Sequence, residues 1–271
     1  MDLLSITWSP DPEIFRIGTF AVRWYGVLFA LGFVCGYFII LGFFRREKIP
    51  VKLLDQLTTY MVIATVIGAR LGHCLFYEPG YYLSNPVEIL KIWQGGLASH
   101  GAAVGIIFTL IIFARKNKVS FLWIIDRIAV VTALAGFFIR MGNLMNSEIF
   151  GKPTSLPWGF IYERAGEIAQ RTQPRHPSQI YEALAYLLIF ALLLFVYRKK
   201  DGKPKEGILI SLFLVLVFGV RFFIEFLKEP QVGFEAQMSL NLGQWLSIPF
   251  VLAGIAGLIL IRAKSIKTGR L

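Results

Sequence analysis

Two arginines in apolar surroundings are the residues of this sequence best suited to bind an anion. Arg140 lies in the run IRMGNLMNSEIFG, and Arg221 lies in RFFIEFLKEP. A guanidinium group is always charged, and its planar fork matches the oxygens of a phosphate. Asn143 follows Arg140 by about one helical turn and therefore lies on nearly the same face. The pattern indicates an anionic ligand such as the phosphate of a lipid.

The same arginines also allow a purely structural interpretation. Arg221 and Glu225 are four residues apart, so a helix would place them on one face, where they neutralise each other. Arg140 could form a buried ion pair with Glu148 or Glu225. The residue types alone leave both interpretations open.

His100 is the candidate for proton transfer. It follows GGLAS and begins the run HGAAVG, whose small residues let another backbone approach closely. A histidine titrates near neutral pH and can accept a proton from a thiol or from water. A catalytic and a structural role for His100 both remain open at this point.

The composition shows what kind of protein must position these residues. Of the 271 residues 56% are hydrophobic and only 17% are charged, a balance that excludes both an ordinary soluble domain and a disordered chain. The only cysteines, Cys35 and Cys74, lie inside apolar runs and exclude a disulfide scaffold. The sequence therefore predicts an all-α integral membrane protein.

Seven stretches approach the roughly 20 apolar residues that a membrane-spanning helix needs. The predicted spans are residues 20–44, 56–77, 96–114, 121–145, 180–197, 207–227 and 243–261. Because successive spans cross the membrane in opposite directions, several polar residues fall in its outer half. They are Tyr25, His100, Arg140, Glu182 and Arg221. Ionisable groups at that depth usually face a polar cavity, so the candidate site is expected there.

The basic residues predict the orientation of the chain. Lysine and arginine cluster in alternate connections, around residues 45–52, 115–118, 198–205 and 262–270. By the positive-inside rule these connections face the cytoplasm, so the N-terminus is outside and the C-terminus inside. The net charge of +11 then reflects topology and anionic lipid headgroups, and no nucleic-acid partner is predicted.

The outer connections are longer than the inner ones. Residues 77–95 contain an amphipathic piece that could lie along the membrane interface. Residues 146–179 are predicted to form a small head on the outer face, with too few apolar residues for a core of its own. Residues 1–271 are expected to be a single polytopic domain, and the acidic opening is not predicted to be a cleavable signal peptide.

The remaining polar residues in the spans have simpler interpretations. Arg70 is expected to extend to the lipid headgroups, and Asp126 with Arg127 to be interfacial and structural. His73 has no second ligand at a suitable spacing and is interpreted as a packed residue, so no metal site is predicted. Gly68 and Gly72 in GARLG are spaced as in a close helix–helix contact.

Several motifs together resemble the bacterial prolipoprotein diacylglyceryl transferase family over nearly the whole chain. The matching blocks are RWYG at 23–26, GARLGH at 68–73, HGAAVG at 100–105, RMGNLMNSEIFG at 140–151, RHPSQIYEA at 175–183, RFFIEFLKEP at 221–230 and LGQWLSIP at 242–249. The runs at 140–151 and 175–183 are far more specific than any match of a single residue.

The resemblance implies an enzyme of the bacterial cytoplasmic membrane with seven helices and a periplasmic head. Such enzymes transfer the diacylglyceryl group of phosphatidylglycerol to the lipobox cysteine of an exported prolipoprotein, forming a thioether and releasing glycerol phosphate. The family's important residues match this sequence at Tyr25, His100, Arg140, Asn143, Glu148, Arg221 and Glu225.

The sequence also departs from the family pattern at three positions. Ile139 replaces a glycine before Arg140, Ala102 replaces a glycine after His100, and Val217 stands where an aromatic residue is common. These changes affect the shape of the pocket and leave its charged groups in place.

One chemistry agrees with the residues and with the resemblance. Arg140 and Arg221 would bind the lipid phosphate, with Asn143 donating a hydrogen bond. Glu225 would orient Arg221, and Glu148 would steady the head. His100 would be the base and Tyr25 its hydrogen-bonding partner. No cofactor is expected, because the lipid headgroup is itself the leaving group.

Two alternatives belong to other functional classes. A small secondary transporter would also have buried charges, although its sites usually lie near the bilayer midplane between paired repeats. A non-catalytic protein that binds anionic lipid would release no glycerol phosphate.

Overall fold

The fold is described from a computed structural model that covers residues 5–18, 20–166, 171–229 and 238–267. Eight α-helices and four short strands are present in this part of the chain. The helices are α1 Trp24–Arg46, α2 Val51–Phe76, α3 Pro79–Ser84, α4 Ser99–Asn117, α5 Phe121–Met145, α6 Ser178–Lys199, α7 Ile208–Ile224 and α8 Leu242–Lys267. The strands are β1 Ile6–Trp8, β2 Glu13–Ile17, β3 Phe20–Arg23 and β4 Phe160–Tyr162.

Seven of the helices are long and apolar enough to cross a membrane. They are the predicted spans, with boundaries that differ by a few residues, and only α3 is too short. The prediction of an all-α membrane protein with seven spans is therefore confirmed. The chain divides into two compact units, one of Met1–Ile39 with Asp126–Leu271 and the other of Ile40–Ile125.

In the first unit, Asp126 fixes the beginning of α7. Its buried carboxylate accepts hydrogen bonds from the backbone N–H groups of Gly207 and Ile210, both at 2.8 Å. These N–H groups would otherwise lack partners at a helix start, where a negative charge is also favourable. The neighbouring Arg127 donates to the Gly202 carbonyl at 3.2 Å. Both residues are buried and hold the beginning of α7 and the preceding turn, which agrees with the structural role predicted for them.

The first unit also contains the segment predicted to form the head. Strand β4 pairs in parallel with β1, and the Trp8 indole donates to the Leu144 carbonyl at 2.9 Å. Phe150, Phe160 and Tyr162 are buried together beside Leu144. Residues 146–179 therefore share a small core with β1 and the end of α5.

The second unit is organised by the contact between α2 and α4. A Cβ atom added to Gly68 would lie 2.5 Å from the Gly101 carbonyl oxygen, and one added to Gly105 would lie 2.7 Å from that of Ala64. Only glycine allows the two backbones to approach so closely. The predicted helix contact at GARLG is confirmed, with the glycines of HGAAVG as its partner.

Arg70 does not extend to the membrane surface as expected. Its side chain is buried and donates to the carbonyls of Glu88 at 2.6 Å, Ile89 at 2.9 Å and Gly95 at 2.7 Å. A guanidinium has five donors, and here they satisfy backbone carbonyls of the connection between α3 and α4. The prediction for Arg70 is wrong because this connection folds back over the end of α2.

His73 is a packed residue, as interpreted from the sequence. Its ring stacks on Tyr77 with centroids 5.6 Å apart and meets Tyr82 edge-on. Among the described residues, no group of three or more His, Cys, Asp and Glu side chains could hold a metal ion.

Candidate active site

Arg140 lies in the last turns of α5 and is held by side chains of α5 and α6. Its Nε atom is 2.9 Å from Glu182 Oε2, and its Nη1 atom donates to Asn143 Oδ1 at 3.1 Å. Asn143 is one turn further along the helix and so lies on the same face, as its spacing predicts. The ion-pair partner of Arg140 is therefore Glu182, and not Glu148 or Glu225 as the structural interpretation supposed.

Glu182 lies in the second turn of α6 and is completely buried. Besides Arg140 it contacts a second cation, because its Oε1 atom is 3.3 Å from Lys228 Nζ. The Tyr186 hydroxyl, one turn further along α6, lies 3.5 Å from the same oxygen. A buried carboxylate is tolerated when cations surround it in this way.

Lys228 follows the end of α7 and joins two carboxylates. Its side chain is 2% exposed, and its Nζ atom lies 3.0 Å from Glu225 Oε1 and 3.3 Å from Glu182 Oε1. The backbone of this segment is fixed, because Lys228 forms an antiparallel bridge with Gly151.

Arg221 and Glu225 form the expected pair at the end of α7. Arg221 Nε lies 3.5 Å from Glu225 Oε1, and the Arg221 side chain is 34% exposed. The second Glu225 oxygen accepts a hydrogen bond from Asn241 Nδ2 at 3.1 Å. Gly243 packs against this carboxylate, and a Cβ atom there would lie 2.6 Å from Glu225 Cδ.

These contacts form a continuous chain of alternating charges from α5 to α7, which we call the charge cluster. Its members are Arg140, Glu182, Lys228, Glu225 and Arg221. Three cations face two carboxylates, so the charge cluster has a net charge of +1. Arg221 is its most exposed cation, at 34% against 14% for Arg140 and 2% for Lys228. A single negative charge would complete its neutralisation.

Glu148 lies next to Asn143 and outside the charge cluster. Its Oε1 atom accepts hydrogen bonds from Asn143 Nδ2 at 2.8 Å and Asn146 Nδ2 at 3.1 Å. Its backbone carbonyl accepts a hydrogen bond from Gln179 at 2.7 Å, and Ser178 binds the next carbonyl at 2.9 Å. The runs at 140–151 and 175–183 are therefore parts of one structure.

Tyr25 lies at the beginning of α1 against the end of α5. A Cβ atom on Gly142 would lie 2.7 Å from Tyr25 Cδ2, so a glycine is needed for this close contact. Tyr25, Arg140, Asn143, Glu148, Arg221 and Glu225 thus all belong to the first unit.

His100 belongs to the second unit, where it lies in the first turn of α4 and is exposed. It lines a largely apolar cavity of about 1100 Å³ that runs along α2 and α4. The glycines of the helix contact form part of the wall, and Tyr60 and Lys116 lie on the same cavity near the other ends of these helices.

Sequence reasoning placed Glu182 in the outer half of the membrane without a role, and it overlooked Lys228. The available signal was that both are ionisable residues inside the motifs RHPSQIYEA and RFFIEFLKEP. Their pairing could not be predicted from the sequence. The two residues are far apart along the chain and meet only when α6 packs against α7.

Comparison with known proteins shows the family of the chain. The family described as prolipoprotein diacylglyceryl transferase matches residues 12–260. A protein of Tolumonas auensis is 51% identical over 95% of this chain and 97% of its own length. One from Bacteroides fragilis is 46% identical over 93% of this chain and 94% of its own, and one from Chloroherpeton thalassium is 45% identical over 92% of each.

All three relatives carry the name phosphatidylglycerol–prolipoprotein diacylglyceryl transferase. The matched range, residues 12–260, spans the positions of the charge cluster and of Tyr25, His100 and Glu148. The chain is a multi-pass membrane protein that belongs to the prolipoprotein diacylglyceryl transferase family.

Proposed function

We propose that this protein transfers the diacylglyceryl group of phosphatidylglycerol to the lipobox cysteine of a prolipoprotein. The observation that supports this most directly is the charge cluster, with its net charge of +1 and its partly exposed Arg221. The phosphodiester of phosphatidylglycerol has one negative charge and matches it. The family of the chain and the names of its relatives support the same activity.

The reaction needs no nucleophile from the enzyme. The cysteine sulfur attacks the glycerol carbon that bears the phosphate ester, a C–S bond forms, and the C–O bond breaks. The bonding electron pair moves to the phosphate oxygen, and glycerol phosphate leaves. The thiol proton must be accepted by a base.

Each site residue has a proposed role in this reaction. Arg221 and Arg140 bind the phosphate and stabilise the charge that develops on the leaving oxygen. Asn143 donates a further hydrogen bond to the phosphate and also holds Arg140, through the contact at 3.1 Å. Glu225 orients Arg221 through the contact at 3.5 Å. Glu148 fixes Asn143 at 2.8 Å and thereby the end of α5.

His100 is the proposed base that accepts the thiol proton. It is exposed at the start of α4 and lies at an apolar cavity large enough for hydrocarbon chains. Tyr25 is proposed to act with it as a hydrogen-bonding partner, an assignment that rests on the resemblance to the family.

The proposed location is the bacterial cytoplasmic membrane, with the site toward the periplasm. Residues 1–271 would act as one polytopic domain, and residues 146–179 would form its periplasmic head. The distribution of lysine and arginine supports this orientation.

The activity is tested with purified protein, phosphatidylglycerol in mixed micelles and a peptide with a lipobox cysteine. We expect the peptide to gain the mass of a diacylglyceryl group and an equal amount of glycerol phosphate to be released. Lipid binding without either product would instead identify a non-catalytic lipid-binding protein, and transport of a solute without product would identify a transporter.

Variants then test the roles of single residues. Arg140→Ala and Arg221→Ala should each reduce the rate by about a hundredfold or more, as is usual when a group that stabilises the transition state is removed. His100→Gln should slow a single turnover. A near-normal single-turnover rate in this variant would exclude His100 as the base.

A further inference from the structure

Lys228 is a buried cation that lies between the two carboxylates of the charge cluster. Its side chain is 2% exposed, and its Nζ atom is 3.3 Å from Glu182 and 3.0 Å from Glu225. A lysine is rarely buried to this degree, because removing an ammonium group from water costs several kcal/mol. Two carboxylates at these distances compensate for that cost.

The arginines of the cluster are held in an unusual way. Arginine and carboxylate commonly form a fork of two parallel N–H···O bonds. Here the closest contact of Arg140 to Glu182, and of Arg221 to Glu225, is through Nε, and neither pair forms such a fork of hydrogen bonds in the described part of the chain. Among the described residues, Glu182 Oε2 and Arg221 Nε are buried and form no hydrogen bond. Each arginine–glutamate pair is therefore held by electrostatic attraction and not by directed hydrogen bonds.

The reason lies in the other oxygen of each carboxylate. Glu182 uses Oε1 for Lys228, while Glu225 shares Oε1 between Lys228 and Arg221 and uses Oε2 for Asn241. Neither carboxylate has two unoccupied oxygens with which to form a fork on its arginine. Lys228 therefore competes with both arginines for their counter-ions.

We propose that Lys228 is a positioning residue that keeps Arg140 and Arg221 available for the anionic headgroup of the lipid. It does so by occupying Glu182 and Glu225 and by giving the charge cluster its net charge of +1. This inference rests on the proposed function, because it concerns the affinity of the same site for phosphatidylglycerol.

Removing the Lys228 charge should have a defined consequence. Two arginines would then face two carboxylates, and the net charge would fall to zero. The released oxygens could close on the guanidinium groups in the common fork geometry. The phosphate of the lipid would have to compete with internal carboxylates, so binding of the lipid should weaken more than the chemical step slows.

The test compares Lys228→Met, Lys228→Arg and the double variant Lys228→Met/Glu182→Gln. Initial rates of peptide modification are measured against the mole fraction of phosphatidylglycerol, which separates KM from kcat. We expect Lys228→Met to raise KM at least tenfold with a smaller effect on kcat. Lys228→Arg should stay within about threefold of wild type, because the charge is kept.

The double variant separates electrostatics from folding. It removes one cation and one carboxylate, which restores a net charge of +1. Arg140 loses Glu182 as its partner in this variant and is left to pair with the lipid phosphate. We expect KM to return to within about threefold of wild type. If Lys228→Met does not fold, the KM of the double variant alone decides: a recovered value supports the proposal, and a tenfold increase overturns it.

Lys152→Met is the matched control. This lysine is close in the fold to the same segment, since its Nζ atom contacts the Phe226 carbonyl at 3.0 Å, but it is exposed and outside the charge cluster. Its KM should equal that of wild type. An unchanged KM in Lys228→Met, or an effect on kcat alone, would overturn the proposal.

A second measurement separates this inference from the proposed function. Native mass spectrometry of the detergent-solubilised protein reports the binding of phosphatidylglycerol without any peptide. If wild-type protein binds the lipid but modifies no peptide, the proposed function is wrong. A tenfold weaker binding in Lys228→Met would still support the role of Lys228, and equal binding in the two proteins would overturn it.

Discussion

At the scale of single residues, the site depends on side chains that hold one another by charge. Arg140, Glu182 and Lys228 are each placed by a different part of the chain, yet their charged atoms lie within 3.3 Å of a neighbour. In a buried environment such contacts are strong, and the loss of one partner leaves an uncompensated charge. Small changes of position should therefore have large effects on activity.

Gly243 provides a test of this sensitivity. A Cβ atom in Gly243→Ala would lie 2.6 Å from Glu225 Cδ and would displace the carboxylate from Lys228 and Arg221. A misplacement of this size should lower the rate by about tenfold or more. The rate is measured in membranes and normalised to protein level. Gly42→Ala is the control, since nothing lies within 4 Å of its Cβ position, and an equal rate in the two variants would contradict the prediction.

His176 lies outside the membrane-spanning helices and provides a test through the pH dependence of stability. Burial lowers the pKa of His176 below its ordinary value of 6.5, and its Nδ1 atom lies 3.3 Å from the Tyr181 hydroxyl. That hydroxyl also accepts a hydrogen bond from the Trp158 indole at 2.9 Å. The folded protein therefore favours the neutral imidazole.

The sign of the pH dependence follows from this preference. Above the unfolded-state pKa both states are neutral and the full stability is present. As the pH falls below 6.5, the unfolded chain takes up a proton first, and stability decreases toward the lowered pKa of the folded state. When the pH is lowered from about 7 to about 5, the melting temperature should fall more in wild type than in His176→Gln. Equal losses would contradict the prediction.

At the scale of elements, close helix contacts place the functional residues. In the first unit, the runs at 140–151 and 175–183 join the end of α5 to the beginning of α6 through Ser178 and Gln179. In the second unit, α2 and α4 meet through glycines at the end where His100 begins α4. The glycines are needed there because the backbones themselves are in contact.

Gly101 is the critical position of the contact between α2 and α4. A Cβ atom in Gly101→Ala would lie 2.7 Å from Gly72 Cα and would also collide with the Gly68 carbonyl oxygen. Backbone atoms cannot move aside easily, so we expect a loss of about 1–3 kcal/mol in the free energy of unfolding. Thermal unfolding in detergent measures the loss. Gly80→Ala, with nothing within 4 Å of its Cβ position, should unfold like wild type.

At the scale of the whole molecule, seven apolar helices define a multi-pass membrane protein. Their lengths and composition do not define which end faces which compartment. The basic connections instead predict the orientation, since lysine and arginine are usually retained on the cytoplasmic side.

Reporter fusions test the orientation. A fluorescent protein fused after residue 271 should fluoresce, because it would fold in the cytoplasm. Alkaline phosphatase inserted at residue 155 should be active, because it would be exported, whereas the same enzyme inserted at residue 202 should be inactive. The opposite pattern would show that the N-terminus is inside and would place the charge cluster toward the cytoplasm.

The sequence by itself determined the helices of this protein and the residues that could take part in binding or catalysis. Spans are local, since about 20 apolar residues in a row are sufficient to define one. Arg140 with Asn143, and Arg221 with Glu225, are also local, because one helical turn separates each pair. For the same reason the glycine contact of GARLG was predictable.

Only the tertiary structure decided which charges meet. Arg140, Glu182 and Lys228 come from α5, α6 and the segment after α7, and no spacing along the chain relates them. The burial of Arg70 was equally inaccessible, because its partners are backbone carbonyls, which every residue possesses. Helix packing selects among such partners by shape and by the cost of leaving a buried charge unpaired, and both depend on the folded chain as a whole.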